Sequence, residues 1–215
     1  MITRIISGIV GIGLSAYVIQ EGGRTFGIAA AVLALLAWIE FTRAFSHRGG
    51  NPTLFTGVLG IAGILYGAFY GQHDFILLSI MAATLLAALS CVLLRGDVSV
   101  PDVGISIAGI CYIGLPFAQL MMLRQLSGNL YTTPIGTFDL GTAMVWVMFI
   151  GTWASDSFAY FAGNAFGSHR LAPAISPNKT IEGFVGGLLG TVGVVVGLGY
   201  FLHFPLEYMA GLGCA

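Results

Sequence analysis

Long uninterrupted apolar stretches recur along this chain, and they restrict its fold more than any other feature. Seven qualify, over residues 3–20, 26–45, 54–71, 74–94, 100–123, 140–166 and 183–202. Each approaches or exceeds the roughly 20 residues that an α-helix needs to cross a bilayer. None alternates with the period of two that marks a half-buried strand. Lipid offers no partner to backbone N–H and C=O groups, so only helices and closed barrels span it. The expected fold is therefore all-α, a polytopic transmembrane helical bundle of about seven spans. The connectors hold turn and breaker residues: Glu21-Gly22-Gly23-Arg24, His47 to Pro52, and Arg95-Gly96-Asp97.

Charge is scarce enough to support this reading. The 215 residues include 8 Lys+Arg and 9 Asp+Glu, and 57% are hydrophobic. A soluble domain carries about 25% charged residues, so lipid must be the solvent for much of the surface. A formal net charge of −1 excludes an electrostatic case for nucleic acid as a partner. The three cysteines show no CxxC spacing and read as packing residues. Arg4 and the apolar run after it read as a first span, since no small-residue cleavage site follows. Gly63, Gly67 and Gly71 recur every fourth residue, as do Gly193 and Gly197. Such spacing predicts close helix contact.

Positive charge predicts an orientation. With seven spans, Arg4, Arg43, Arg48, Arg95, Arg170 and Lys179 fall on one side, and Arg24 and Arg124 on the other. The richer side is expected to be cytoplasmic, together with the N-terminus and the polar segment 167–182. An integral protein of a bacterial inner membrane is the expected setting.

Chemistry concentrates between Thr152 and Gly187. Thr152, Asp156, Tyr160 and Asn164 recur every fourth residue and so share one helix face. A carboxylate within a span is costly unless it faces protein or a watery cavity. Asp156 is therefore expected to line a polar cavity as a metal or ligand contact, or else to pair with another span. Farther on, Ser176-Pro177 reads as an N-cap and first helical residue. A helix starting there would aim free N–H groups and its positive dipole end at phosphate. Lys179, the only lysine, would add a point charge. A capped helix with a snorkelling lysine is the plainer alternative. His169 and Arg170 flank the same segment, where they would meet an anionic headgroup or a triphosphate.

The run DSFAYFAGNAFG (156–167), followed by HRLAPAISPNKTIEGFVGG (169–187), resembles the phosphatidate cytidylyltransferase (CDP-diacylglycerol synthase) family. The close match covers roughly 35 residues; elsewhere the likeness lies in hydropathy and in the early RIISGI start. The resemblance implies an enzyme, a nucleotidyltransferase of phospholipid synthesis. The phosphate of phosphatidic acid would attack the α-phosphorus of CTP, giving CDP-diacylglycerol and pyrophosphate. Magnesium (Mg2+) is the implied cofactor, since clustered phosphates repel an anionic nucleophile until a cation neutralises them. Lys179 and Asp156 take the catalytic roles, Lys179 on phosphate and Asp156 on the metal or nucleotide. Ser176, Asn178, Thr180, Glu182, Tyr160, Asn164, His169 and Arg170 are the expected substrate-binding residues.

Residues 1–135 would then hold the N-terminal and middle spans, and 136–215 the start of the catalytic membrane domain. The family's second, C-terminal motif, a K-D pair followed by PGHGG and DRxD, does not occur here. A partial chain, inactive or nearly so by itself, is the expectation. CTP, phosphatidic acid and the lipid bilayer are the expected partners, with a homodimer carried as common for such bundles. Three other readings compete. One is a membrane transporter or channel, which explains the cavity but not the clustered SPNKT block. Another is a CTP-dependent transferase acting on a different lipid phosphate. The last is a degenerate relative kept as a structural partner.

Overall fold

The computed structural model describes residues 2–94, 97–128, 130–133, 136–204 and 206–214. Arg95 and Gly96 of one expected connector lie outside them, as do Pro205 and Ala215, and the Arg4 side chain is likewise not described. Helices follow the seven expected spans to within a few residues. They are α1 (Ile2–Glu21), α2 (Gly23–Ser46), α3 (Leu54–Phe69), α4 (His73–Leu93), α5 (Val100–Arg124), α6 (Leu140–Phe166) and α7 (Ile181–Phe201), followed by the short α8 (Leu206–Cys214). Among the described residues, α2, α4, α5 and α7 are long and apolar enough to cross a membrane. Helix α6 has 27 residues, but its second half carries Thr152, Asp156 and Asn164, which dilute its apolar character.

Two short antiparallel hairpins depart from the all-helical expectation. Strands β1 (Tyr131–Thr133) and β2 (Gly136–Phe138) precede α6, and β3 (Arg170–Ala172) and β4 (Ser176–Thr180) join α6 to α7. Strands this short leave no periodicity to detect in sequence.

The chain forms two compact units, Met1–Leu126 and Ser127–Ala215. Unit 1 is a helical bundle whose core joins Ala34 and Trp38 of α2, Ile61 and Ile64 of α3, Ala83 of α4, and Ile110 and Met121 of α5. Trp38 is fully buried, and its indole N–H donates to the Leu54 carbonyl at 3.0 Å. A Cβ on Gly57 would overlap that indole ring, so only glycine lets α3 approach it.

Polar contacts at the ends of unit 1 show which connectors share a side. The Asn51 N–H donates to Asp102 Oδ1 at 2.7 Å, and the Asn51 side-chain amide donates to the Asp97 carbonyl at 2.7 Å. The connectors after α2 and α4 therefore meet. Arg124 Nε donates to the Ile19 carbonyl at 2.8 Å, which brings the C-terminal ends of α1 and α5 together. A cation suits that place, where helix carbonyls lack partners. The alternation assumed for the positive-charge argument holds within this unit.

Unit 2 is organised by the α6–α7 pair, with α8 packed on α7. A Cβ on Gly199 would stand 3.0 Å from the Met209 Cβ, and one on Gly213 would stand 2.8 Å from the Val192 Cα.

Candidate active site

Helix α6 starts where Asp139 caps it, the carboxylate accepting from the Thr142 N–H at 2.6 Å. Every fourth residue along one stripe is small: Gly151, Ser155, Ala159 and Gly163. Helix α7 answers with Gly183 and Gly187. A Cβ on Gly187 would meet the Ala159 Cβ at 3.0 Å and the Ser155 carbonyl at 3.2 Å. A Cβ on Gly183 would meet the Ala159 carbonyl at 2.9 Å and the Gly163 Cα at 3.2 Å. Missing side chains thus let two antiparallel backbones touch, as small residues do between membrane helices. The glycines that achieve this are not the ones singled out by spacing. Gly193 and Gly197 have nothing within 4 Å, whereas Gly183, Gly186, Gly187 and Gly190 meet α6.

The close approach places the intervening hairpin. Arg170 pairs with Thr180 and Ala172 with Ser176. Ser176-Pro177 therefore opens a strand, not a helix, which corrects the expected cap. The helix begins at Ile181, and Thr180 is its N-cap, its hydroxyl accepting from the Gly183 N–H at 3.1 Å. Pro177 is compatible with this because it fixes φ without requiring a helix to follow. Lys179 consequently sits in β4, one residue before the cap, instead of in the first helical turn.

The start of α7 is also less open to anions than expected. The Ile181 N–H donates to the His169 carbonyl at 2.9 Å, and the Gly183 N–H is taken by Thr180. Glu182 supplies its own negative charge to the same turn. Its carboxylate accepts from the His169 backbone N–H at 3.2 Å to each oxygen, and Oε1 lies 2.7 Å from His169 Nδ1. Glu182 thereby pins the residue that leads into β3. The His169 side chain remains 77% exposed, against 25% for Glu182.

The expected site residues fall into two groups. His169, Arg170, Ser176, Thr180 and Glu182 are brought together by the hairpin and the α7 cap. Asn178 and Lys179 are exposed on the same hairpin, and neither side chain has a hydrogen-bond or ion-pair partner among the described residues. Thr152, Asp156, Tyr160 and Asn164 do share a face of α6, about 100° round from the stripe that packs on α7. All four are exposed. The Asp156 carboxylate has no partner among the described residues, so the pairing alternative finds no support there. Sequence reasoning missed Ala159 and Gly183 as the contact that seats the hairpin. The signal was present in the recurrence of small residues at 151, 155, 159 and 163.

No three His, Cys, Asp or Glu side chains gather as a metal-binding group among the described residues. A protein-only cage is thus not formed by them. Magnesium, however, is commonly held by one or two carboxylates plus substrate phosphates and water, and the unpaired carboxylate of Asp156 fits one such position.

The model of the cytidylyltransferase family matches residues 2–214. A phosphatidate cytidylyltransferase of Staphylococcus aureus (strain COL) is 26% identical over 215 residues, covering 99% of this chain and 77% of the relative. One from Staphylococcus saprophyticus is 27% identical over 208 residues, covering 96% and 75%. The chloroplastic phosphatidate cytidylyltransferase 5 of Arabidopsis thaliana is 29% identical over 217 residues, covering 91% and 53%. A match that runs through both units and the whole α6–α7 hairpin settles the relationship: the chain belongs to the cytidylyltransferase family.

Proposed function

We propose that this nucleotidyltransferase moves the cytidylyl group of CTP onto phosphatidate. A phosphate oxygen of phosphatidate attacks the α-phosphorus of CTP. The bond from that phosphorus to the bridging oxygen of the β-phosphate breaks, and pyrophosphate leaves with the electron pair. CDP-diacylglycerol stays in the bilayer.

One observation carries the reading. Helices α6 and α7 converge on a polar hairpin that presents Lys179, Arg170 and Asn178 with their side chains exposed, just before α7, which is long and apolar enough to cross a membrane. That is where a water-soluble triphosphate and a lipid phosphate can meet. Lys179 supplies a compact charge for the phosphate oxygens. Arg170 can meet phosphate through two parallel N–H bonds. Ser176, Thr180 and Glu182 hold the hairpin's shape, Glu182 by tying down His169. On this reading Asp156, with Tyr160 and Asn164 on its face, receives the nucleotide. Magnesium bound with it would neutralise charge on the phosphates.

The reading places segment 167–182 and the N-terminus on the cytoplasmic side, in a bacterial inner membrane. A homodimer belongs to it as well, to be read from the mass of the detergent-solubilised protein.

The test is a product assay on protein expressed from its complete reading frame and purified in detergent. CTP and magnesium are supplied with phosphatidate, with a polyprenyl phosphate, or with no acceptor. Formation of CDP-diacylglycerol from phosphatidate alone supports the proposal. Product from the polyprenyl phosphate alone would assign another acceptor, and neither CTP binding nor product would overturn the reading.

A further inference from the structure

The hairpin between α6 and α7 carries an apolar tip that the cytidylyl-transfer reading does not use. Leu171, Ala172, Pro173, Ala174 and Ile175 follow one another without a polar side chain. Ala172 is half-buried and the other four are exposed, Leu171 at 44% and Ile175 at 89%. Single apolar side chains scatter over any protein surface, but an exposed run of three or four marks a contact. The hairpin's own geometry does not call for the run. Arg170 pairs with Thr180 and Ala172 with Ser176, so residues 173–175 form the turn beyond the last pair. That turn is held by the Ile175 N–H, which donates to the Ala172 carbonyl at 3.1 Å and needs no apolar side chain.

What covers the run follows from its attachment and from the charges beside it. Strand β4 ends at Thr180 and α7 begins at Ile181, with no connector between them. Helix α7 is long and apolar enough to cross a membrane, so the base of the hairpin stands at the lipid–water boundary. The five residues of β4 extend about 16 Å at 3.3 Å per residue. A hairpin lying along the membrane keeps its tip at that boundary, whereas one standing out of it would hold Ile175 in water. Arg170 and Lys179 flank the apolar run, and both are exposed. Glu182, the acid of segment 167–182, is occupied by His169 at 2.7 Å. An apolar wedge between cations suits an interface with anionic headgroups, as in amphipathic segments that lie in the membrane plane. A second protein could also cover an apolar run, but this one is continuous with a spanning helix, where lipid is already present.

We propose that residues 171–175 insert into the headgroup–acyl boundary of an anionic membrane, leaving Arg170 and Lys179 at the level of the lipid phosphates. The insertion fixes the depth of the hairpin, and it holds whichever reaction the hairpin serves.

The experiment measures depth and needs neither CTP nor turnover, so its outcome is separate from that of the transferase reading. The protein from its complete reading frame, with Cys91, Cys111 and Cys214 replaced by alanine, is placed in vesicles of phosphatidylcholine and phosphatidylglycerol. An environment-sensitive dye is attached at Ile175→Cys or, separately, at Asn178→Cys. Both positions are exposed, so neither substitution disturbs packing. Quenching is read with iodide in the water and with a nitroxide carried on the lipid acyl chain. The dye at 175 should emit further to the blue and be quenched severalfold more by the nitroxide than the dye at 178, and iodide should rank the two positions in reverse. In vesicles of phosphatidylcholine alone, iodide should reach position 175 more readily. Equal quenching of both positions by iodide would overturn the proposal. A dye at 175 reached by neither quencher would overturn it too, since protein would then cover the tip. Equal protection in neutral vesicles would overturn the assignment to anionic headgroups.

Discussion

Gly183 packs against α6 so closely that a Cβ on it would stand 2.9 Å from the carbonyl oxygen of Ala159. The neighbour is backbone, which cannot yield as a flexible side chain does. Gly183→Ala should therefore destabilise the α6–α7 pair by about 1–3 kcal/mol, the usual cost of overpacking. Gly193→Ala, with nothing within 4 Å, should be neutral or stabilising by up to about 1 kcal/mol through helix propensity. Thermal unfolding in detergent compares the two. Equal effects would contradict the packing described here.

Thr180 caps α7 through its hydroxyl. Thr180→Ala should cost about 0.5–2 kcal/mol, the usual range for a lost N-cap. Thr180→Ser should restore most of the loss. Melting temperatures of the three proteins decide it. Had the helix begun at Pro177, the two Thr180 variants would behave alike.

Glu182 ties the hairpin to α7 through two contacts to the His169 backbone N–H and one to its ring. Glu182→Ala removes all of them, while His169→Ala removes only the ring contact. In kcat/KM for CTP, Glu182→Ala should fall about tenfold to a hundredfold, the scale of a misplaced positioning element. His169→Ala should fall less. The melting temperature should change little in either, because both side chains are reached by water. A larger loss in His169→Ala would mean that the ring itself meets substrate.

The spans were legible because apolar runs longer than 17 residues have few alternatives in a helical protein, and every expected span became a helix. The polar face of Thr152, Asp156, Tyr160 and Asn164 was equally legible, since helical period alone produces it. The hairpin was not. Ser176-Pro177 is as compatible with a strand start as with a helix cap, and what decides between them is tertiary. Gly163 and Gly183 let the chain turn back closely enough for Arg170 to pair with Thr180. The glycines of α7 show the same limit. Spacing identifies small residues, but which of them face α6 depends on the rotation of the helix.

Asp156 is exposed on α6 and has no partner among the described residues. Asp156→Asn should leave the melting temperature unchanged. If Asp156 is the carboxylate that shares magnesium with the nucleotide, the half-saturating magnesium concentration should rise about tenfold or more, because one carboxylate is then a large part of the protein's hold on the ion. A fall in melting temperature with an unchanged magnesium requirement would assign Asp156 a structural role.

The most direct measurement is transfer of labelled cytidylyl from CTP to phosphatidate in vesicles, comparing the protein from its complete reading frame with its Lys179→Ala and Lys179→Arg variants. Lys179 is exposed and unpaired among the described residues, so its loss should spare the fold. The account predicts labelled CDP-diacylglycerol from the parent and a loss of about a hundredfold to a thousandfold in Lys179→Ala, the scale of removing one preorganised electrostatic contact. Partial recovery is expected in Lys179→Arg. Full activity in Lys179→Ala would contradict the account.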